Sequence, residues 1–167
     1  NIVGPRQKYD DPFRNVMSIM LNRMLQGKQP IIYGDGEQRR CFSYIDDCLY
    51  CLNALAFQNN VVGEVVNIGP DEESCTINEL AEMCANETGL NLDTLYHKDR
   101  PQEVKVAVCS SDKARQLLDY KTSTNVRQSV QKTAEYIRTR GTKKFQYHLP
   151  IEIVNEKTPD TWKNKLI

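Results

Sequence analysis

Three short segments carry side chains whose types and spacing suit recognition of an anionic ligand with a flat ring. The first, Asn1-Ile2-Val3-Gly4-Pro5-Arg6-Gln7, joins a side-chain amide to a Gly-Pro turn. Asn1 and nearby backbone amides could approach an anion there, although an ordinary surface loop has the same composition. The second is IIYGDGEQRRCFSYIDD, from Ile31 to Asp47. Tyr33, at the end of an apolar run, could stack on a flat base. Arg40, beyond a glycine turn, offers a planar fork that matches a diphosphate bidentately. A hairpin-like surface turn with solvated arginines fits the same residues. In the third segment, Arg100-Pro101-Gln102-Glu103, Pro101 fixes the backbone beside Arg100. Glu103 could accept hydrogen bonds from ribose hydroxyls, or form an exposed ion pair of little energetic weight.

The cysteines point elsewhere. Cys48 and Cys51 spell C-x-x-C, a spacing used for metals and redox chemistry. No second pair follows among Cys41, Cys75, Cys84 and Cys109, and His97 and His148 are the only histidines. Leu49, Leu52, Leu55 and Ala56 give the C-x-x-C stretch a helical pattern, in which sulfur serves as a small core filler. Structural thiols, no metal, and a reducing, cytoplasmic setting are expected.

Stepping from these groups to the elements that must hold them, Asp11 is expected to cap a helix with Pro12 at its first position. Phe13, Val16, Met17, Met20, Leu21, Met24 and Leu25 recur at helical spacing, and Gly27 closes the run. Pro30 to Tyr33 and Arg40 to Ile45 read as short strands around the Gly34-Asp35-Gly36 turn. Asp46 is expected to cap a helix to about Gln58, and Glu64 to Gly69 reads as a buried strand. Thr76 and Glu79 form a capping box before a helix to about Thr88. Short strands are expected within 92–96 and 104–108, and helices capped by Asp112 and Asn125 run to Leu118 and about Arg140. Residues 145–167 have no clean period and are expected either to wrap the surface or to pack on a partner.

Length and charge narrow the class. The 167 residues are enough for one domain with its own core. Basic and acidic side chains balance at 22 each, which leaves no broad positive field for nucleic acid. No apolar run approaches the ~20 residues that span a bilayer, and no charged-then-apolar secretory leader is expected.

Taken in order, NIVGPRQ, PIIYGDGEQRRCFSYIDD, VVNIGPDEESCTINELAEM and DRPQEVKVAVCSSDKARQLLDY resemble the C-terminal half of the extended short-chain dehydrogenases that act on nucleotide sugars. UDP-glucose 4-epimerases, UDP-glucuronate decarboxylases and dTDP-glucose 4,6-dehydratases are examples. The resemblance runs from Asn1 to about Arg140. It implies an α/β fold: a substrate-binding domain of helices and short strands over residues 1–144, a remnant of the last Rossmann strands near 64–69, and a tail at 145–167. It also implies roles for individual residues. Asn1 would contact the substrate diphosphate, and the backbone amides of Val16 and Met17, at a helix start, would approach phosphate. Tyr33 would pack on uracil or thymine, Arg40 and Arg100 would clamp the diphosphate, and Glu103 would hold the ribose. Ala107 would line the sugar pocket, where a small side chain would admit an N-acetyl group.

Two positions depart from the family pattern. Val3 stands where Tyr is usual, and Cys41 stands where Asp is usual, as in some decarboxylases, which leaves the reaction branch open. The chain has neither G-x-x-G-x-x-G nor Y-x-x-x-K. The family's dinucleotide cradle and its Tyr/Lys catalytic pair are therefore expected upstream, in a longer protein that holds NAD, takes a UDP- or dTDP-sugar and pairs as a homodimer. The alternative is a non-catalytic nucleotide-sugar binding module.

Overall fold

A computed structural model describes residues 1–167. In chain order the elements are β1 (Ile2–Val3), α1 (Val16–Met24), β2 (Ile31–Tyr33), β3 (Arg39–Arg40), β4 (Ser43–Tyr44), α2 (Ile45–Phe57), β5 (Cys75–Thr76), α3 (Ile77–Thr88), β6 (Leu95–His97), β7 (Val106–Ala107), α4 (Asp112–Leu118), α5 (Val126–Arg140) and α6 (Asp160–Lys163). The fold is mixed α/β with short strands, as expected.

The core is helical. Met17, Met20, Leu21 and Met24 of α1 meet Leu80, Ala81 and Cys84 of α3 and Val130, Ala134 and Ile137 of α5 in one buried cluster. These residues recur every three or four positions, so each helix turns one apolar stripe inward. Local chemistry sets the helix starts. In α3 the Thr76 hydroxyl accepts the Glu79 amide at 3.0 Å, and the Glu79 carboxylate accepts the Thr76 amide at 2.7 Å. Asn125 and Gln128 repeat that reciprocal arrangement at α5.

Three small sheets brace this core: β1 beside β4, β2 beside β6, and β5-β3-β7. In the last sheet Arg40 faces Cys75 on one side and Ala107 on the other. Gly34 and Gly36 turn the chain between β2 and β3 at φ of +65° and +76°. A Cβ at either position would run into the side chain of Asp99 or Asn78.

Several expectations need correction. The first helix starts at Val16 rather than Pro12. Its cap is Asn15, and Asp11 instead closes a turn ahead of it by accepting the Phe13 amide at 3.0 Å. The strand expected from Arg40 to Ile45 is split, because β3 and β4 pair with different partners and Ile45 already belongs to α2. Tyr44 rather than Asp46 occupies the α2 cap, and Ser111 rather than Asp112 precedes α4. Glu64 to Gly69 is irregular, with Val65 84% exposed. No strand lies alongside to accept its hydrogen bonds, and Val66 and Ile68 pack instead against the small cluster around Cys51 and Leu118.

Cys48, Cys51, Cys75 and Cys84 are buried free thiols. Burial raises each of their pKa values, that of Cys75 to about 12, so none of the four is a ready nucleophile. No helix is long and apolar enough to cross a membrane.

Candidate functional site

A cavity of about 240 Å3 opens between the start of α1, the end of β2, β3, the 100–103 loop and the chain's last residues. Asn1, Val16, Tyr33, Arg40, Arg100 and Glu103 all line it. Met17 and Ala107 do not. Met17 is fully buried in the core, and its amide donates to Asn15 Oδ1 at 3.0 Å. Ala107 lies opposite Arg40 in the sheet, where it is exposed outside the cavity.

Strand pairing places the charged groups. β3 is held on both edges, which fixes the Arg40 backbone, and the side chain is only 14% exposed. Its Nη2 donates to Glu103 Oε1 at 2.5 Å, and its Nη1 to the Arg39 carbonyl at 2.8 Å. The other Glu103 oxygen lies 3.7 Å from Arg100 Nε. One carboxylate thus sits between two guanidinium groups, and the trio keeps a surplus positive charge in a partly desolvated cleft. Such an arrangement attracts an anion with more than one negative charge, since two forks can each engage a separate phosphate while the carboxylate is released to other donors.

Tyr33 forms the aromatic wall. The Arg100 guanidinium carbon stands 5.2 Å from its ring centre. Burial raises the phenol pKa to about 12 against the opposing pull of Arg100, so the ring stays neutral throughout the physiological range. Asn1, anchored by the parallel pairing of β1 with β4, donates its side-chain amide to the Cys41 carbonyl at 3.2 Å. Val16 opens α1 at the cavity wall, so the positive end of a nine-residue helix faces the same space as the arginines.

Sequence reasoning missed two groups. Gln38 is buried at the cavity wall, donates to the Tyr33 carbonyl at 3.1 Å and leaves its Oε1 without a partner. The glycine-turn motif around it gave no sign that its side chain would fold inward. Thr161 and Trp162, from the aperiodic tail, also line the cavity, and no local signal marked them.

Comparison with known proteins identifies the family. Residues 1–133 match the GDP-mannose 4,6 dehydratase family. The UDP-glucose 4-epimerase of Thermotoga maritima, solved with UDP-glucose, superposes with a TM-score of 0.73 at 32% identity, over 84% of this chain and 44% of that one. The UDP-glucuronic acid 4-epimerase of Bacillus cereus, solved with UDP-glucuronic acid and NAD, gives 0.76 at 30% identity over the same shares. The UDP-N-acetyl-alpha-D-glucosaminuronate decarboxylase of Bacillus cytotoxicus is 42% identical over 82 residues, which are 49% of this chain and 25% of that protein. The fold and the sequence match define a nucleotide-sugar-modifying class. The chain belongs to the NAD-dependent nucleotide-sugar epimerase/dehydratase family of extended short-chain dehydrogenases. It spans less than half the length of the curated relatives that it matches over most of its own residues.

Proposed function

We propose that this chain is the part of a nucleotide-sugar epimerase that grips the nucleotide diphosphate, and that the whole enzyme interconverts epimers at C4 of an NDP-hexose. One observation carries the reading. Residues as far apart in sequence as Asn1 and Glu103 line a single cavity, and two arginines there share one carboxylate. On ligand entry Arg40 and Arg100 exchange Glu103 for the diphosphate. Glu103 is then free to accept the ribose hydroxyls, and Tyr33 stacks on the base. Binding energy from this remote end positions the sugar for chemistry elsewhere. In the whole enzyme, Arg100→Ala should therefore raise the Michaelis constant far more than it lowers turnover.

NAD supplies hydride transfer in this proposal. It is held mainly upstream of this chain. The Gly34–Gly36 turn abuts Asp99 and Asn78 and leads into a strand rather than a helix, so it makes no pyrophosphate cradle. The 167-residue chain is accordingly expected to bind nucleotide without turning over the sugar. A decarboxylase reading draws on a separate observation, Cys41 beside Arg40 together with the 42% identical stretch shared with the Bacillus cytotoxicus enzyme.

Calorimetric titration of UDP tests the grip. The wild-type chain should bind saturably. Arg40→Ala should lose about 2–5 kcal/mol, the usual effect of breaking a buried charge-assisted pair. Absence of binding by the wild-type chain, or an unchanged affinity in the variant, would overturn the assignment.

A further inference from the structure

The tail beyond residue 144 is rooted firmly at one end. The Asn22 side chain holds Lys143 by two hydrogen bonds of 2.9 and 3.1 Å, and the Gln146 amide donates to the Asp10 carbonyl at 2.9 Å. Tyr147 packs edge-on against Phe13 at 5.9 Å. From Glu152 to Lys157 every residue is exposed. The hydrogen bonds of Ile153 to Thr158 are made within that stretch.

The chain then returns to the molecule as α6 and reaches the wall described above. Thr161 is 1% exposed, and its hydroxyl meets the Tyr33 hydroxyl. Trp162 stacks edge-on against Phe13 at 5.2 Å and lies 5.3 Å from the Arg100 guanidinium carbon. Arg100 is thus held between Tyr33 and Trp162.

Space is the deciding quantity. With α6 seated, the cavity is about 240 Å3, below the ~300–1,000 Å3 usual for a small-molecule site. The nucleoside diphosphate portion alone calls for a site within that usual range. The residues in the way are the tail's own Thr161, Trp162 and Ile167, which lie outside the 1–133 stretch matched by the family.

Resting on the nucleotide-binding reading, we propose that residues 159–163 are a resident plug. They occupy the base end of the cavity and hold Arg100 away from the diphosphate, and the nucleotide must displace them to bind. The exposed 152–157 stretch serves as the hinge. Beyond the contacts of Thr161 and Trp162, the hydrogen bonds that tie down this end are those of the Tyr147 hydroxyl, which donates to the Thr161 carbonyl at 3.3 Å and accepts the Ile167 amide at 3.1 Å. The open form is then a minor but accessible state, and apparent affinity is reduced by the fraction of molecules that are open.

Trp162 is the single tryptophan of the chain, so its emission reports the position of the tip. UDP should be titrated into the wild-type chain and Trp162→Ala by calorimetry, and into the wild-type chain with emission recorded. The variant should bind UDP about tenfold more tightly, as follows if roughly one molecule in ten is open at rest. Wild-type emission should move to the red as Trp162 enters water. Equal or weaker binding by Trp162→Ala, or emission that stays in place or moves to the blue, would make the tip a bystander or a roof over the ligand and overturn the plug while leaving the nucleotide reading intact. If the wild-type chain binds no UDP, the nucleotide reading falls and the plug falls with it.

Discussion

Around α1, α3 and α5 an eighteen-residue apolar cluster closes on itself, whereas α2 and α4 share a cluster of six. On that second side Leu49, Leu52, Phe57, Val62 and Val65 remain between 52% and 84% exposed. The arginine cleft belongs to the first side: α1 and β2 form its walls, and α3 continues directly from β5, the strand that braces Arg40. Precise placement of two guanidinium groups needs a backbone that does not shift, and the side with the closed core provides it. The second side is held more by polar contacts. Arg115 of α4 pairs with Asp71 and Glu72, and the Ser123 amide donates to Asp47 Oδ2 at 3.1 Å.

This contrast breaks down if the two sides respond alike to comparable changes. Leu80→Ala removes a fully buried side chain from the three-helix core and should cost about 2–5 kcal/mol of folding stability. Chemical denaturation reads that value, and a loss under 1 kcal/mol would mean the core is not close-packed. Thr76→Ala should cost about 1 kcal/mol by removing one arm of the α3 capping box, with partial rescue by Ser.

Acid should separate the two sides. The Asp71 carboxyl lies below the usual carboxylate range, chiefly through the hydrogen bond from Arg115 and then that from the Ser111 amide. Its contribution is complete above the unfolded value of about 4 and is lost as the pH falls from there through the depressed folded value. Amide protection in α4, corrected for the intrinsic exchange rate, should therefore fall between about pH 4 and pH 2 more than protection in α3, and Asp71→Asn should remove that difference. The smallest effect belongs to Leu52→Ala. With its side chain largely exposed it should change stability by no more than about 0.5 kcal/mol in the isolated chain.

Legibility in the sequence follows the range of the interactions. The starts of α3 and α5 could be read because Thr76 and Asn125 cap with residues three positions away. The turn after Tyr33 could be placed because Gly34 and Gly36 sit at positive φ, a conformation that glycine takes locally. Residues 64–69, expected to pair with strands upstream of this chain, find no partner strand within it, and an apolar run does not reveal where its neighbours lie. The division of 40–45 into β3 and β4 depended on partners near Cys75 and Asn1, which no local pattern encodes. Arg40, Arg100 and Glu103 each admitted a surface reading when taken singly. Their meeting depends on the parallel pairing of β3 with β7, which draws the 100–103 loop back to Arg40 across 63 residues. The seat of the tail was illegible, since Thr161 finds Tyr33 across 128 residues with no period to announce it.

The central claim is that this cleft recognises a diphosphate through two arginines. Calorimetric titration of the wild-type chain with UDP and, in parallel, with uridine tests it most directly. UDP should bind at least about a hundredfold more tightly, because a preference of 2 kcal/mol or more per charge-assisted pair is absent for the uncharged nucleoside. Equal affinities would show that the arginines do not engage the diphosphate and would contradict the account.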